Sequence, residues 1–173
     1  DAEAETRAHS YLRARGIAFE ESQFAKALRE ADLQVISAFL DAGMSPNHQF
    51  VESFRQTPLS ALMRWGPFDA NERPTSDSVR ESIELLLASG ADVNLPDANR
   101  ITPLMDAASR GCDRVVMRTL IKAGARLGDT DMHGLTAFEH GAYSGHDGLL
   151  ELIAAGYRLP TARAQELLSA YAG

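Results

Sequence analysis

The residue types best suited to chemistry gather late in the chain: Asp129, Asp131 and His133 alternate as metal ligands do, and Glu139, His140 and His146 follow them. A protein metal site needs three or four such ligands, with supporting pairs at fixed spacing, and no second pair stands where one is needed. The first three therefore read as polar residues of a turn, and the others as solvated or capping side chains. Glu20 and Glu21 are adjacent acids, but they precede a helical segment, where negative charge favours the helix N-terminus. Cys112, the single cysteine, excludes an internal disulfide and reads as a small apolar residue beside a helix start. There is no Gly-x-Ser-x-Gly elbow, no phosphate-cradling glycine loop and no Cys or His cluster. No catalytic residue, metal site or cofactor is expected, and the chain is not expected to be an enzyme.

Composition narrows the remaining classes. The 173 residues are 45% hydrophobic, enough for one domain with a sizeable core, and carry a net charge of −7. Nucleic-acid affinity rests on clustered Lys and Arg, so DNA and RNA are poor partners for this surface. The longest apolar runs are a few residues, such as Leu85 to Ala88, too short to insert in a membrane. Of the 17 basic residues all but Lys26 and Lys122 are Arg, a bias expected of a GC-rich, bacterial coding sequence. The chain begins at Asp1, compatible with a removed leader, and one free cysteine suits either the cytoplasm or a bacterial periplasm.

What must position the polar residues is a repeat. Thr57-Pro58-Leu59, Thr102-Pro103-Leu104 and Thr136-Ala137-Phe138 are one recurring mark, each followed nine residues after its Thr by Gly66, Gly111 or Gly145. A second mark is Ala42-Gly43-Met44, Ser89-Gly90-Ala91, Ala123-Gly124-Ala125 and Ala155-Gly156-Tyr157. The Thr hydroxyl can accept from a free first-turn N–H, and Pro at the first helical position loses nothing by lacking one. The middle glycine closes a short helix, a second helix follows with apolar residues at helical spacing, and the last glycine suits a left-handed stop. Helix pairs of this kind bury their apolar faces only by stacking.

Gly90-Ala91-Asp92-Val93-Asn94, Thr102-Pro103-Leu104, Ala107-Ala108 and Gly111, in that order and spacing, resemble the ankyrin repeat. The resemblance implies an all-α repeat solenoid, an ankyrin-type stack of helix-turn-helix units with short β-hairpin fingers. It divides one domain into an N-terminal cap helix (1–21), repeats at 22–56, 57–101, 102–135 and 136–159, and a C-terminal cap helix (160–173). Repeat two carries an insertion at 67–78 whose two prolines break a continuous helix. The family's usual His is replaced by Ser60, Met105 or Glu139, and its usual turn Gly by Arg55 or Arg100.

The resemblance also implies a non-catalytic module that binds a protein partner through its concave inner-helix face and hairpin tips, and a monomer when free. Within that class stand an immunity or inhibitor protein masking a toxin or exported enzyme, and a stress-protective accessory factor of the cell envelope. The pairs before the middle glycine, Arg64-Trp65, Ser109-Arg110 and Tyr143-Ser144, with Arg29-Glu30 in the first repeat, are expected to face the partner. Phe54 and Gln56, Asn99 and Ile101, and Met132, His133 and Leu135 extend the surface along the fingers. Trp, Tyr and Arg are the types that most often dominate an interface.

Overall fold

In the computed structural model, residues 2–66, 76–144 and 149–158 are described. They form nine α-helices: α1 (Ala2–Ala14), α2 (Glu21–Glu30), α3 (Leu33–Asp41), α4 (Pro58–Trp65), α5 (Ser76–Ala88), α6 (Pro103–Arg110), α7 (Arg114–Lys122), α8 (Ala137–Ser144) and α9 (Leu149–Ala154). Packing sorts these into two layers. The short helices α2, α4, α6 and α8 stack in sequence as an inner layer, and α3, α5, α7 and α9 stack behind them. The N-terminal α1 packs on α3, so it continues the outer layer by one helix, with the Tyr11 hydroxyl donating to Gln34 Oε1 at 3.1 Å. This is the all-α solenoid that the repeat pattern implied. The expected C-terminal cap at 160–173 and most of the insertion at 67–78 lie outside the described residues; Ser76 to Ser78 form the first turn of α5.

Local chemistry sets the helix starts. Thr57 and Thr102 accept at their hydroxyls from the N–H of Ser60 and Met105, with Pro at the next position in both helices. Met105 returns the bond, its sulfur accepting from Thr102 N–H at 3.5 Å. At Thr136 the residue in the same place is Glu139, whose buried carboxylate accepts from both the N–H and the hydroxyl of Thr136. Of the three residues standing where the family has His, Met105 and Glu139 thus serve the cap with their side chains, and Ser60 with its backbone N–H alone. The first inner helix starts earlier than its register implies, with Glu20 as N-cap and Ser22 inside the first turn.

The middle glycines act differently from one another. Gly111 ends α6 in the left-handed conformation at φ 67°. Gly66 is extended, and a Cβ there would collide with the Leu62 carbonyl oxygen and touch Val79, so its requirement is close approach rather than handedness. The core beneath is continuous, running from Leu12 and Phe24 through Phe39, Leu62, Ile83 and Leu104 to Leu120 and Leu152. Cys112 belongs to it, 3.8 Å from the Met63 sulfur, and burial pushes its thiol up to about 12.

Side-chain amides tie successive repeats together. Asn47 donates to the Gly90 carbonyl and accepts from Asp92 N–H; Asn94 does the same to Gly124 and Arg126. The first donor and acceptor are 43 residues apart in sequence and the second 30, yet the bonds are alike at 3.0 and 3.1 Å. The added length in repeat two is therefore accommodated without disturbing the stacking register.

Candidate functional site

The fingers hold less strand than hairpins would. Each is closed across its base by a backbone bond, Phe50 N–H to Gln56 C=O, Asp97 N–H to Ile101 C=O and Asp131 N–H to Leu135 C=O, with a turn bond inside it from Arg55 to Phe50, Arg100 to Asp97 and Gly134 to Asp131. Among the described residues only the first makes a β-bridge. In the other two an aspartate intervenes: Asp97 Oδ1 accepts from the N–H of Asn99 and Ile101, and Asp131 Oδ1 from His133 and Leu135. The carboxylate takes the N–H that would otherwise complete a backbone bridge. Neighbouring fingers are joined, Ala98 N–H donating to Phe54 C=O at 2.7 Å and Met132 N–H to Asn99 C=O at 3.0 Å. The tips thereby form one continuous edge beside the inner helices. Arg55 and Arg100 adopt left-handed backbone at φ 59° and 63°, where the third finger has Gly134 at 78°.

Along the inner layer the expected residues meet across repeats. Arg64 donates from Nη2 and Nε to Asp106 Oδ1 at 2.6 and 3.1 Å, joining α4 to α6. The Gln56 carboxamide, oriented with its oxygen toward the guanidinium, accepts from Arg64 Nη1 and Nε at 2.8 and 2.7 Å. Arg110 reaches back to the Arg64 carbonyl at 3.3 Å. The Arg29 guanidinium lies over the Trp65 ring at 6.0 Å, and Trp65 tilts against Phe50 at 6.3 Å.

Exposure separates this set. Tyr143, Phe54 and Met132 are 60–67% exposed, and Arg29, Glu30, Arg110 and His133 are also exposed. Trp65, Ser109, Asn99, Ile101 and Leu135 are half-buried, Trp65 and Ile101 packing on the core. Gln56, expected at a finger tip, is buried at 1% and faces inward to Arg64. It lies beneath the surface because it closes the first finger and its amide caps the guanidinium. Arg64 is held on both sides in the same way. The side chain of Ser144 and the nearby Gly145 and His146 lie outside what is described.

Position by position, the repeats vary one buried pair. Asp131 and His140 form a 3.0 Å contact, Oδ2 to Nε2. One repeat earlier the corresponding residues are Asp97 and Asp106, two buried acids whose Oδ2 atoms make no hydrogen bond. One further back the place five residues before Thr57 is the exposed Glu52, and the place of Asp106 is the buried, apolar Ala61. Burial raises the Asp106 carboxyl above its usual range despite Arg64, and the charge of Asp97 adds to the rise. Asp131 goes the other way: burial opposes ionisation, but the N–H groups of Leu135 and His133 and the His140 ring outweigh it. Asp131 and His133, which alternate like ligands, are thus finger-building residues. Among the described residues no group of three His, Cys, Asp or Glu side chains is placed to hold a metal ion.

Sequence reasoning read Asp131 as a polar turn residue and passed over Asp97 and Asp106. Asp97 and Asp131 each stand five residues before a helix-starting Thr, a recurrence that marks them as structural. Asp106 carried no such signal, since its partner Arg64 is 42 residues away. Behind the stack, Glu151 of α9 is gripped by Arg118 and Arg114 of α7, at 3.0 and 2.7 Å; their hydrogen bonds hold its carboxyl below the usual range.

Comparison with known proteins adds to the geometry. The family described as "Ankyrin repeats (3 copies)" matches residues 75–161. An "IkB-like protein" of African swine fever virus (isolate Tick/Malawi/Lil 20-1/1983) is 31% identical over 83 residues, 47% of this chain. The aligned stretch covers 34% of that viral protein, so the chain spans about a third of it.

Proposed function

Since this chain belongs to the ankyrin-repeat family, we propose that it is a non-catalytic binding module that holds a protein partner against its inner-helix face and finger edge. The observation that carries this reading is the kind of side chain exposed: aromatic and thioether groups on the fingers and inner layer, against the aliphatic Val115, Leu150 and Ile153 on the outer helices. Phe54, Met132 and Tyr143 stand exposed on the fingers and the inner layer, with Arg110 between them. The backbone beneath them is fixed by bonds from finger to finger and by the bridge from α4 to α6. A rigid frame carrying aromatic, thioether and guanidinium groups loses little freedom on binding, so contact area is converted efficiently to affinity.

The contact set proposed is Arg110, Tyr143, Phe54, Met132 and His133 at the surface, with Trp65, Ser109, Asn99, Ile101 and Leu135 half-buried among them. Gln56 and Arg64 act underneath as the frame. Replacing Tyr143 with Ala and Met132 with Ser should each weaken the partner by more than about fivefold, roughly 1 kcal/mol, with thermal stability unchanged. The outer-layer change Val115→Ser, at a residue 46% exposed on α7, should leave affinity unaltered. The opposite pattern, with Val115 sensitive and the other two silent, would move the binding face to the outer helices.

A further inference from the structure

At the N-terminal end of this face, α2 and the first finger enclose a cleft of about 560 Å³ whose lining sequence patterns did not reveal. Trp65 and Phe50 form its aromatic floor, and Glu20, Glu21 and Glu52 stand around it against a single cation, Arg29. We propose that the cleft seats a basic side chain, Lys or Arg, presented by an extended segment of the protein partner beside an apolar residue.

Three observations carry this assignment. First, the carboxylates outnumber the cation, and the chain as a whole bears −7, so the local and the long-range fields both attract positive charge. Second, the Trp65 ring carries the Arg29 guanidinium over it at 6.0 Å, a loose ring–cation contact that an incoming Lys or Arg side chain would take over by displacing Arg29. Third, Val51 at the rim is 77% exposed and Phe54 just beyond it 67%, an apolar shelf beside the charged cleft. The wall is preformed: Glu21 Oε1 accepts from Val51 N–H at 3.0 Å, and its Oε2 lies 3.2 Å from His48 Nε2. The volume is ample for one long side chain, and neither a phosphate nor an acidic peptide would be accepted by this rim.

This assignment rests on the reading of the inner-helix and finger face as the binding surface, and the test separates the two. Trp65 is the only tryptophan, so its emission reports on the cleft directly. The whole chain would be titrated with the peptide acetyl-Gly-Val-Arg-Val-Gly-amide and with the same peptide carrying neutral citrulline or Glu in place of Arg. The expected result is a saturable change in Trp65 emission with the Arg peptide, at least fivefold tighter than with citrulline, weakened by salt and absent with Glu. In the double variant Glu20→Gln/Glu52→Gln, verified as folded by circular dichroism, affinity for the Arg peptide should fall at least fivefold. Equal response to Arg and citrulline, no response at all, or full binding by the double variant would overturn the assignment. If the cleft fails while Tyr143 and Met132 remain sensitive to the partner, the binding surface stands and only its charge specificity is lost. If those two prove silent while the Arg peptide still binds, the surface reading falls instead.

Discussion

Arg64 of α4 and Asp106 of α6 are joined at 2.6 Å, with 3% of the Asp106 side chain and 30% of the Arg64 side chain exposed. A buried carboxylate is tolerable only while its partner stays in place, since removing one ion leaves the other desolvated and unpaired. Arg64→Ala should therefore cost on the order of 2–3 kcal/mol, less than the ~3–5 of a fully buried pair because Arg64 keeps some water. Chemical denaturation would measure it. A loss near zero would mean that the ion pair does not hold α4 to α6.

The same site gives a pH dependence whose sign is fixed. Asp106 has a folded-state pKa raised by burial, so its contribution is fully present below the unfolded carboxyl range and is lost as pH rises through the folded value. Asp131 and Glu151 are lowered, so theirs is present above the unfolded range and is lost as pH falls through their folded values. Asp106→Asn removes the first limb alone. Its melting temperature relative to the parent should rise as pH is raised above the unfolded carboxyl range; a difference that stays constant would contradict the burial argument.

The asparagine bridges predict both a loss and a gain. Asn94→Ala removes two hydrogen bonds, to Gly124 C=O and from Arg126 N–H, and should cost about 1–2 kcal/mol. Gly128 stands in the same register place one repeat later, and a Cβ there meets no atom within 4 Å. Gly128→Asn should extend the bridge toward the Gly156 carbonyl and raise stability by about 0.5–1.5 kcal/mol. A lower melting temperature would show that the fourth repeat does not continue the register.

Arg100 occupies left-handed backbone at φ 63°, where the third finger has Gly134. Arg100→Gly should stabilise by about 0.5–1 kcal/mol, relief of the side-chain clash exceeding the added freedom of the unfolded chain. Calorimetry should show a rise of about 1–4 °C, and a fall would mean the arginine makes compensating contacts.

Much of this fold was legible because its signals are local. Thr57 and Thr102 with their prolines mark helix starts, and Gly43, Gly90 and Gly124 mark the ends, each through a bond closed within a few residues. The site was legible only in part. Trp65, Arg110 and Tyr143 could be placed by counting back from a glycine, but whether a side chain is free depends on a neighbour one repeat away. Arg64 is held by Asp106 and Gln56, and Gln56 turned inward, for reasons no window along the chain contains. The acidic cleft was hidden likewise, since Glu20 and Glu21 meet Glu52 only when α2 and the first finger fold together.

Site-specific photo-crosslinking tests the central claim most directly. A benzophenone side chain would be placed at Met132 on the finger edge, at Tyr143 on the inner layer and, in separate protein, at Val115 on the outer layer, all exposed in the structure. Irradiated with the partner bound, the first two positions should form covalent adducts with it and Val115 should form none. Adducts at Val115 with none at Met132 or Tyr143 would contradict the account.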